Sequence, residues 1–78
     1  MRVLLIEDDA DLAQALTAAL SPRGFAVDLA RTIEDAEAYL KDGDYAAVLL
    51  DLGLPDEDGL ALLHRMRSRG DTRPALIL

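Results

Sequence analysis

Two short stretches of the sequence place acids where apolar runs end. In "VLLIEDD", residues 3–9, an apolar run leads directly into Glu7, Asp8 and Asp9. In "AAVLLDLGLPDEDG", residues 46–59, another leads into Asp51, followed by Gly53, Pro55 and the acids Asp56, Glu57 and Asp58. A carboxylate at the end of a buried run has to be stabilised. Carboxylates brought together repel, and at least one pKa rises unless a cation sits among them. Carboxylate oxygens with room for water suit Mg2+, which is usually bound by one or two carboxylates and keeps several waters. Gly53 leaves its backbone carbonyl free as a further oxygen ligand, and Pro55 stiffens the loop that presents it.

Each acid also has a plainer role when taken alone. Asp8 or Asp9 suits the N-cap of a helix, and Asp51 suits an ordinary turn. Asp56, Glu57 and Asp58 read as a solvated turn and helix cap. His64 has no second His or Cys beside it and reads as a surface residue, while Tyr39 and Tyr45 read as packing residues. The site reading therefore rests on the two run ends meeting in space.

The elements that would bring them together are legible as periodicity. Val3–Ile6, Ala46–Leu50 and Ala75–Leu78 are short continuous apolar runs, and Phe25–Leu29 is a weaker alternating one. Such runs suit strands covered on both faces, as in parallel sheets. Leu12, Ala15, Leu16, Ala19 and Leu20 repeat at helical spacing, and Ser21, Pro22 and Gly24 end that segment. Thr32 can cap a second helix, with Asp35 at the capping-box position. That helix would bury Ile33, Ala36, Tyr39 and Leu40 and stop at residues 42–44. A third helix runs from about Leu60 to Arg69, with Leu60, Leu63 and Met66 on its apolar side. Arg65, Arg67 and Arg69 suit its negative end, and Gly70 suits the position after it. The order is β-α-β-α-β-α-β, which predicts an α/β fold with a parallel sheet and helices on both faces. Ligands of such sheets bind beyond the carboxyl ends of the strands, where the strand order reverses. Strands one and three commonly flank that point, so Glu7, Asp8 and Asp51 are expected in one pocket.

Composition narrows the function classes. The chain has 78 residues, no cysteine and a formal charge of −7. One small domain is the most such a length can form, without disulfides or thiolate metal sites. The charge opposes direct grip on a phosphate backbone and favours cations or basic partners. No apolar run approaches the ~20 residues of a membrane span, and the N-terminus lacks the apolar region of a signal peptide, so a cytoplasmic location is expected.

"VLLIEDD" and "VLLDLGLPDEDGL", with Asp51, Pro55 and Gly59 in an Asp-x-x-x-Pro-x-x-x-Gly pattern, together resemble the receiver domain of bacterial two-component response regulators, most closely the OmpR/PhoB-like type. The resemblance runs in register along the whole chain. It implies a flavodoxin-like fold with strand order 2-1-3-4-5. It also implies that Asp51 accepts a phosphoryl group from a phosphohistidine on a sensor histidine kinase. Glu7, Asp8, Asp51 and the Gly53 carbonyl would then hold Mg2+, Asp8 more directly than Glu7. Beyond the chain, the resemblance implies a winged-helix DNA-binding domain that regulates transcription.

The resemblance further implies that residues 1–78 are the N-terminal two-thirds of a receiver, truncated after strand four. The Ser/Thr expected after strand four and the Lys expected after strand five fall outside it. DNA would be reached only through an effector domain absent from this chain. The exposed edge of strand four would be open to self-association. Two other readings remain. A receiver-like interaction or oligomerisation module incompetent for phosphorylation would ignore Mg2+. An independent phosphatase with Asp51 as nucleophile would typically carry a second Asp two residues on, where this chain has Gly53. The receiver itself would not be an enzyme in the usual sense, although it assists its own phosphorylation and dephosphorylation.

Overall fold

The structure is a computed structural model and describes residues 1–78. Its elements alternate as the periodicity predicts. They are β1 (Arg2–Ile6), α1 (Ala10–Leu20), a 3₁₀ turn (Ser21–Arg23), β2 (Ala26–Ala30), α2 (Ile33–Asp42), β3 (Ala47–Leu50), α3 (Gly59–Ser68) and β4 (Ala75–Ile77). The strands form one parallel sheet in the order β2-β1-β3-β4, the order implied by the resemblance over the strands this chain contains. The order reverses between β1 and β3, so their carboxyl ends flank the switch point.

The continuous apolar runs have a direct explanation. Successive side chains of a strand point to opposite faces. Leu4, Ile6, Val48 and Leu50 pack on one face with Ile33, Ala36 and Leu40 of α2 and Leu62 and Met66 of α3. Leu5 and Leu49 face the other way, against Ala13, with Leu16, Leu20, Val27 and Leu29 around them. Every position of β1 after Arg2 is buried because both faces are covered.

The helices start and stop where the local chemistry dictates. Asp9 caps α1, accepting hydrogen bonds from the Asp11 and Leu12 amides at 3.0 and 3.1 Å. Gly24 ends the following 3₁₀ turn at φ 91°, a left-handed conformation that glycine adopts without a Cβ clash. Thr32 caps α2 through the Asp35 amide. At the end of α3, Gly70 is left-handed and the Asp71 amide returns to the Met66 carbonyl at 2.9 Å, a Schellman closure.

Each helix leaves some of its expected core positions exposed. On α1 the residue against the sheet is Ala13, flanked by Leu16 and Leu20, while Ala15 and Ala19 are exposed and Leu12 is 42% exposed. The small Ala13 lets the helix approach Leu5 and Leu49 at that point. On α2, Ile33, Ala36 and Leu40 are buried as expected but Tyr39 is 42% exposed. On α3, Met66 is buried and Leu63 packs against the core as expected, but Gly59 and Leu62 are buried as well and Leu60 is 51% exposed. The cause is at Gly59. A Cβ there would lie 2.9 Å from the Asp51 carbonyl oxygen and 3.2 Å from Leu50 Cγ. The helix thus begins pressed against the end of β3, which turns Leu62 rather than Leu60 inward.

Tyr45 is buried, as expected of a packing residue, and also reaches a polar partner. Its hydroxyl donates to Asp28 Oδ2 at 2.7 Å. Burial first, and the Asp28 carboxylate second, push its pKa up to about 12. Asp28 also accepts from Arg2 at 2.8 Å. Tyr45→Phe is expected to cost about 1 kcal/mol in urea denaturation, because Asp28 keeps the Arg2 bond when the hydroxyl is lost. Arg73, just before β4, closes the amino end of the sheet. It donates to the Leu40 and Gly43 carbonyls at the end of α2 and pairs with Asp71. β2 and β4 are the two edge strands, and on β4 Leu76 is 61% exposed.

Candidate functional site

The register of β1 and β3 builds the site. Ile6 pairs with Leu50, so the next residues, Glu7 and Asp51, leave the sheet side by side. The Asp51 amide donates to the Ile6 carbonyl at 3.0 Å, and the Glu7 amide donates to the Ala30 carbonyl at 3.0 Å. Continued one residue past each strand, the alternation places Glu7 in line with Leu5 and Asp51 in line with Leu49. Both carboxylates thereby fall on the same side of the sheet end.

Glu7, Asp8 and Asp51 come together as the sequence predicts. Each offers a carboxylate oxygen, and these oxygens lie within 4.8 Å of one another. Glu7 is only 2% exposed, Asp51 is half-buried and Asp8 is exposed. The group therefore grades from a buried floor to an open mouth. Asp9 stands apart from it as the α1 cap. Its amide donates to Glu7 Oε2 at 3.3 Å, which helps orient the buried carboxylate.

Gly53 lies beside Asp51. Its amide donates to Asp51 Oδ1 at 3.2 Å, folding the loop back onto the carboxylate. A Cβ at Gly53 would lie 3.9 and 4.0 Å from the two Asp51 oxygens.

The electrostatics favour a cation. Burial raises the Glu7 pKa above its ordinary 4.5, and the adjacent Asp51 carboxylate raises it further. Because the folded-state pKa lies above the unfolded one, the folded state binds the Glu7 proton more tightly. Stability is then lost as pH rises from the unfolded carboxylate range through the folded Glu7 value. In chelator, urea midpoints are expected to fall over that window, and Glu7→Gln is expected to flatten the dependence. Equal slopes for both proteins would show that Glu7 is not strained by charge.

The three carboxylates fit a hard divalent cation. They are oxygen donors only, and the exposed side leaves room for water, the donor set and access that suit Mg2+.

The acids after Pro55 are not merely a solvated turn. Asp58 caps α3 through the Leu60 amide at 3.0 Å. Glu57 holds Arg65 through both carboxylate oxygens. Asp56 reaches another element altogether: its Oδ1 accepts from the Ile33 amide at 3.0 Å and its Oδ2 from the Glu34 amide at 3.1 Å. Those amide bonds, Ile33's foremost, hold the Asp56 pKa below its ordinary value. No sequence signal pairs Asp56 with a helix start more than twenty residues upstream.

The largest surface groove lies elsewhere, among Glu37, Leu40, Lys41, Arg69, Asp71 and Arg73. Two of its cations are already engaged, Arg69 by Glu37 and Arg73 by Asp71 and the end of α2. It reads as a seam between helices.

A parallel α/β sheet with carboxylates converging at its switch point defines a flavodoxin-like protein of the receiver class. Residues 3–78 match the response regulator receiver domain family, and the chain belongs to it. It is similar to the transcriptional regulatory protein PmrA of Pectobacterium parmentieri, with 49% identity over 78 residues, 100% of this chain and 35% of that protein. It is also similar to the virulence transcriptional regulatory protein PhoP of Salmonella typhimurium, with 44% identity over the same length and 35% of that protein covered. This chain thus spans about a third of the length of these relatives. Among solved structures, the MaeR response regulator bound to beryllium trifluoride superposes with a TM-score of 0.94 at 28% identity, covering 100% of this chain and 66% of that one. The response regulator TrrA of Thermotoga maritima, in complex with Mg2+ and beryllium fluoride, gives 0.86 at 28% identity, covering 97% of this chain and 64% of that one. No helix is long and apolar enough to cross a membrane.

Proposed function

We propose that this receiver domain is a phosphoacceptor, with Asp51 taking a phosphoryl group from the phosphohistidine of a sensor histidine kinase. The observation that carries the proposal is the meeting of Glu7, Asp8 and Asp51 within 4.8 Å at the switch point. Relatives named as transcriptional regulators and neighbours bound to beryllium fluoride, a mimic of a phosphoryl group, support it. In the whole protein the signal would pass to a winged-helix domain that contacts DNA.

The step is an in-line displacement. An Asp51 carboxylate oxygen attacks phosphorus, the P–N bond to the donor imidazole breaks, and its electron pair returns to the ring nitrogen. The product is an acyl phosphate on Asp51. Glu7, Asp8, Asp51 and the Gly53 carbonyl would hold Mg2+, whose charge offsets that of the phosphoryl oxygens. The Gly53 amide orients the Asp51 carboxylate through its 3.2 Å bond to Oδ1. Glu7, buried beneath, forms the floor of the site. The protein assists a transfer to itself and turns over no separate substrate.

The test is incubation of the chain with acetyl phosphate, with and without Mg2+, followed by intact mass measurement. A Mg2+-dependent gain of one phosphoryl group, released by hydroxylamine as expected of an acyl phosphate, supports the proposal. A folded chain that gains nothing under either condition and whose amide NMR spectrum does not respond to Mg2+ points to the interaction module instead.

A further inference from the structure

We propose that Asp56 is a positioning residue that fixes the Asp51 loop by clamping it to the start of α2. The first amides of a helix have no intrahelical partner. In α2 they are fully accounted for. The Ile33 and Glu34 amides donate to the two Asp56 oxygens, the Asp35 amide donates to Thr32 Oγ1, and the Ala36 amide begins the helical ladder at the Thr32 carbonyl. The local cap therefore takes one donor, and a residue from the site loop takes two.

The same loop is tied to α3 by Glu57, which holds Arg65, and by Asp58, which caps the helix. Its hydrogen bonds to α2 are both made by Asp56. Leu54 enters the core, whereas Leu52, Gly53 and Pro55 are exposed. With Asp56 in place, the segment between Asp51 and the α3 cap is fixed at both neighbouring helices. Without it, Leu54 remains the loop's buried anchor, and the hydrogen bonds that hold the loop come from the α3 side only. A carboxylate facing the positive end of α2 suits this bridge. For its effect on chemistry the inference rests on the phosphoacceptor reading; for its effect on the loop it does not.

Asp56→Ala and Thr32→Ala separate this role from simple helix capping, since both remove bonds to the start of α2 and only the first releases the loop. In Asp56→Ala, amide order parameters at Leu52, Gly53 and Leu54 are expected to fall from about 0.85 to below about 0.6. Phosphorylation by acetyl phosphate should slow by about tenfold to a hundredfold, as for a small misplacement of a reacting group. Thr32→Ala should leave both readouts at wild-type values while lowering the urea midpoint. Asp56→Asn keeps one carboxamide oxygen as acceptor, so it should give intermediate loop order; it also serves if the alanine variant does not fold. Loop order unchanged in both Asp56 variants, or lowered equally in Thr32→Ala, would overturn the proposal. If the wild type accepts no phosphoryl group, the order parameters still decide the clamp, and only the phosphoacceptor reading fails.

Discussion

Asp51→Asn is expected to abolish phosphoryl acceptance, a loss of the order of 10³-fold or more in the rate with acetyl phosphate. The carboxamide has nearly the same shape and keeps an oxygen for the Gly53 amide, so the loop has no reason to move. It carries no charge, however, and is a poor nucleophile. It also removes one anionic oxygen from the group formed with Glu7 and Asp8. Neither neighbour can replace it. Glu7 is buried, Asp8 is exposed at the turn into α1, and the Gly53 amide bond goes to Asp51. The variant has a second, opposite signature. Because the Asp51 carboxylate contributes to the raised Glu7 pKa, Asp51→Asn lets Glu7 ionise at lower pH. The metal-free variant should therefore be more stable than wild type at neutral pH, and the loss of stability on raising pH should be smaller. A variant that loses phosphorylation yet gains stability has lost charge, not fold. Retained phosphorylation would place the acceptor elsewhere.

The largest stability effect is expected at Leu62. Leu62→Ala should cost about 3 kcal/mol, within the range for deleting a fully buried leucine. Leu62 has no exposed surface and lies in the core with Ile6, Leu50 and Met66. Domains of this length have stabilities of the order of 5 kcal/mol, so the variant should be close to unfolding at 37 °C. Leu60→Ala, two positions away, should change stability by no more than about 0.5 kcal/mol, since its side chain is half exposed. Urea denaturation of both variants reads the contrast directly. Similar losses would mean that α3 packs with the face its periodicity alone predicts.

That contrast shows where sequence reasoning reaches its limit. Helical spacing says that α3 has an apolar stripe, but Leu60, Leu62 and Leu63 offer more than one. The choice is made by Gly59, which has to fit against the Asp51 carbonyl and Leu50 across the loop. The same holds for α1, where Ala13 is the buried residue although the larger side chains of Leu12 and Leu16 dominate the pattern. Tyr39 and Tyr45 read alike in sequence, yet one is exposed and the other is buried with its hydroxyl on Asp28.

What the sequence by itself determined is the alternation of strands and helices, the parallel sheet, and the arrival of Glu7, Asp8 and Asp51 at one place. The alternation follows from short-range physics, since strand and helix periods, caps and glycine turns act within a few residues; the meeting of the acids follows from the general rule that alternating strands and helices make a parallel sheet whose site lies at the carboxyl ends beside its switch point. Only the tertiary structure decided which face of each helix meets the sheet, that Glu7 is the buried member of the acidic group, and that Asp56 bonds the start of α2. Each of these depends on contacts between residues far apart in the chain, where the fit of one side chain against another element sets the outcome and no local period records it.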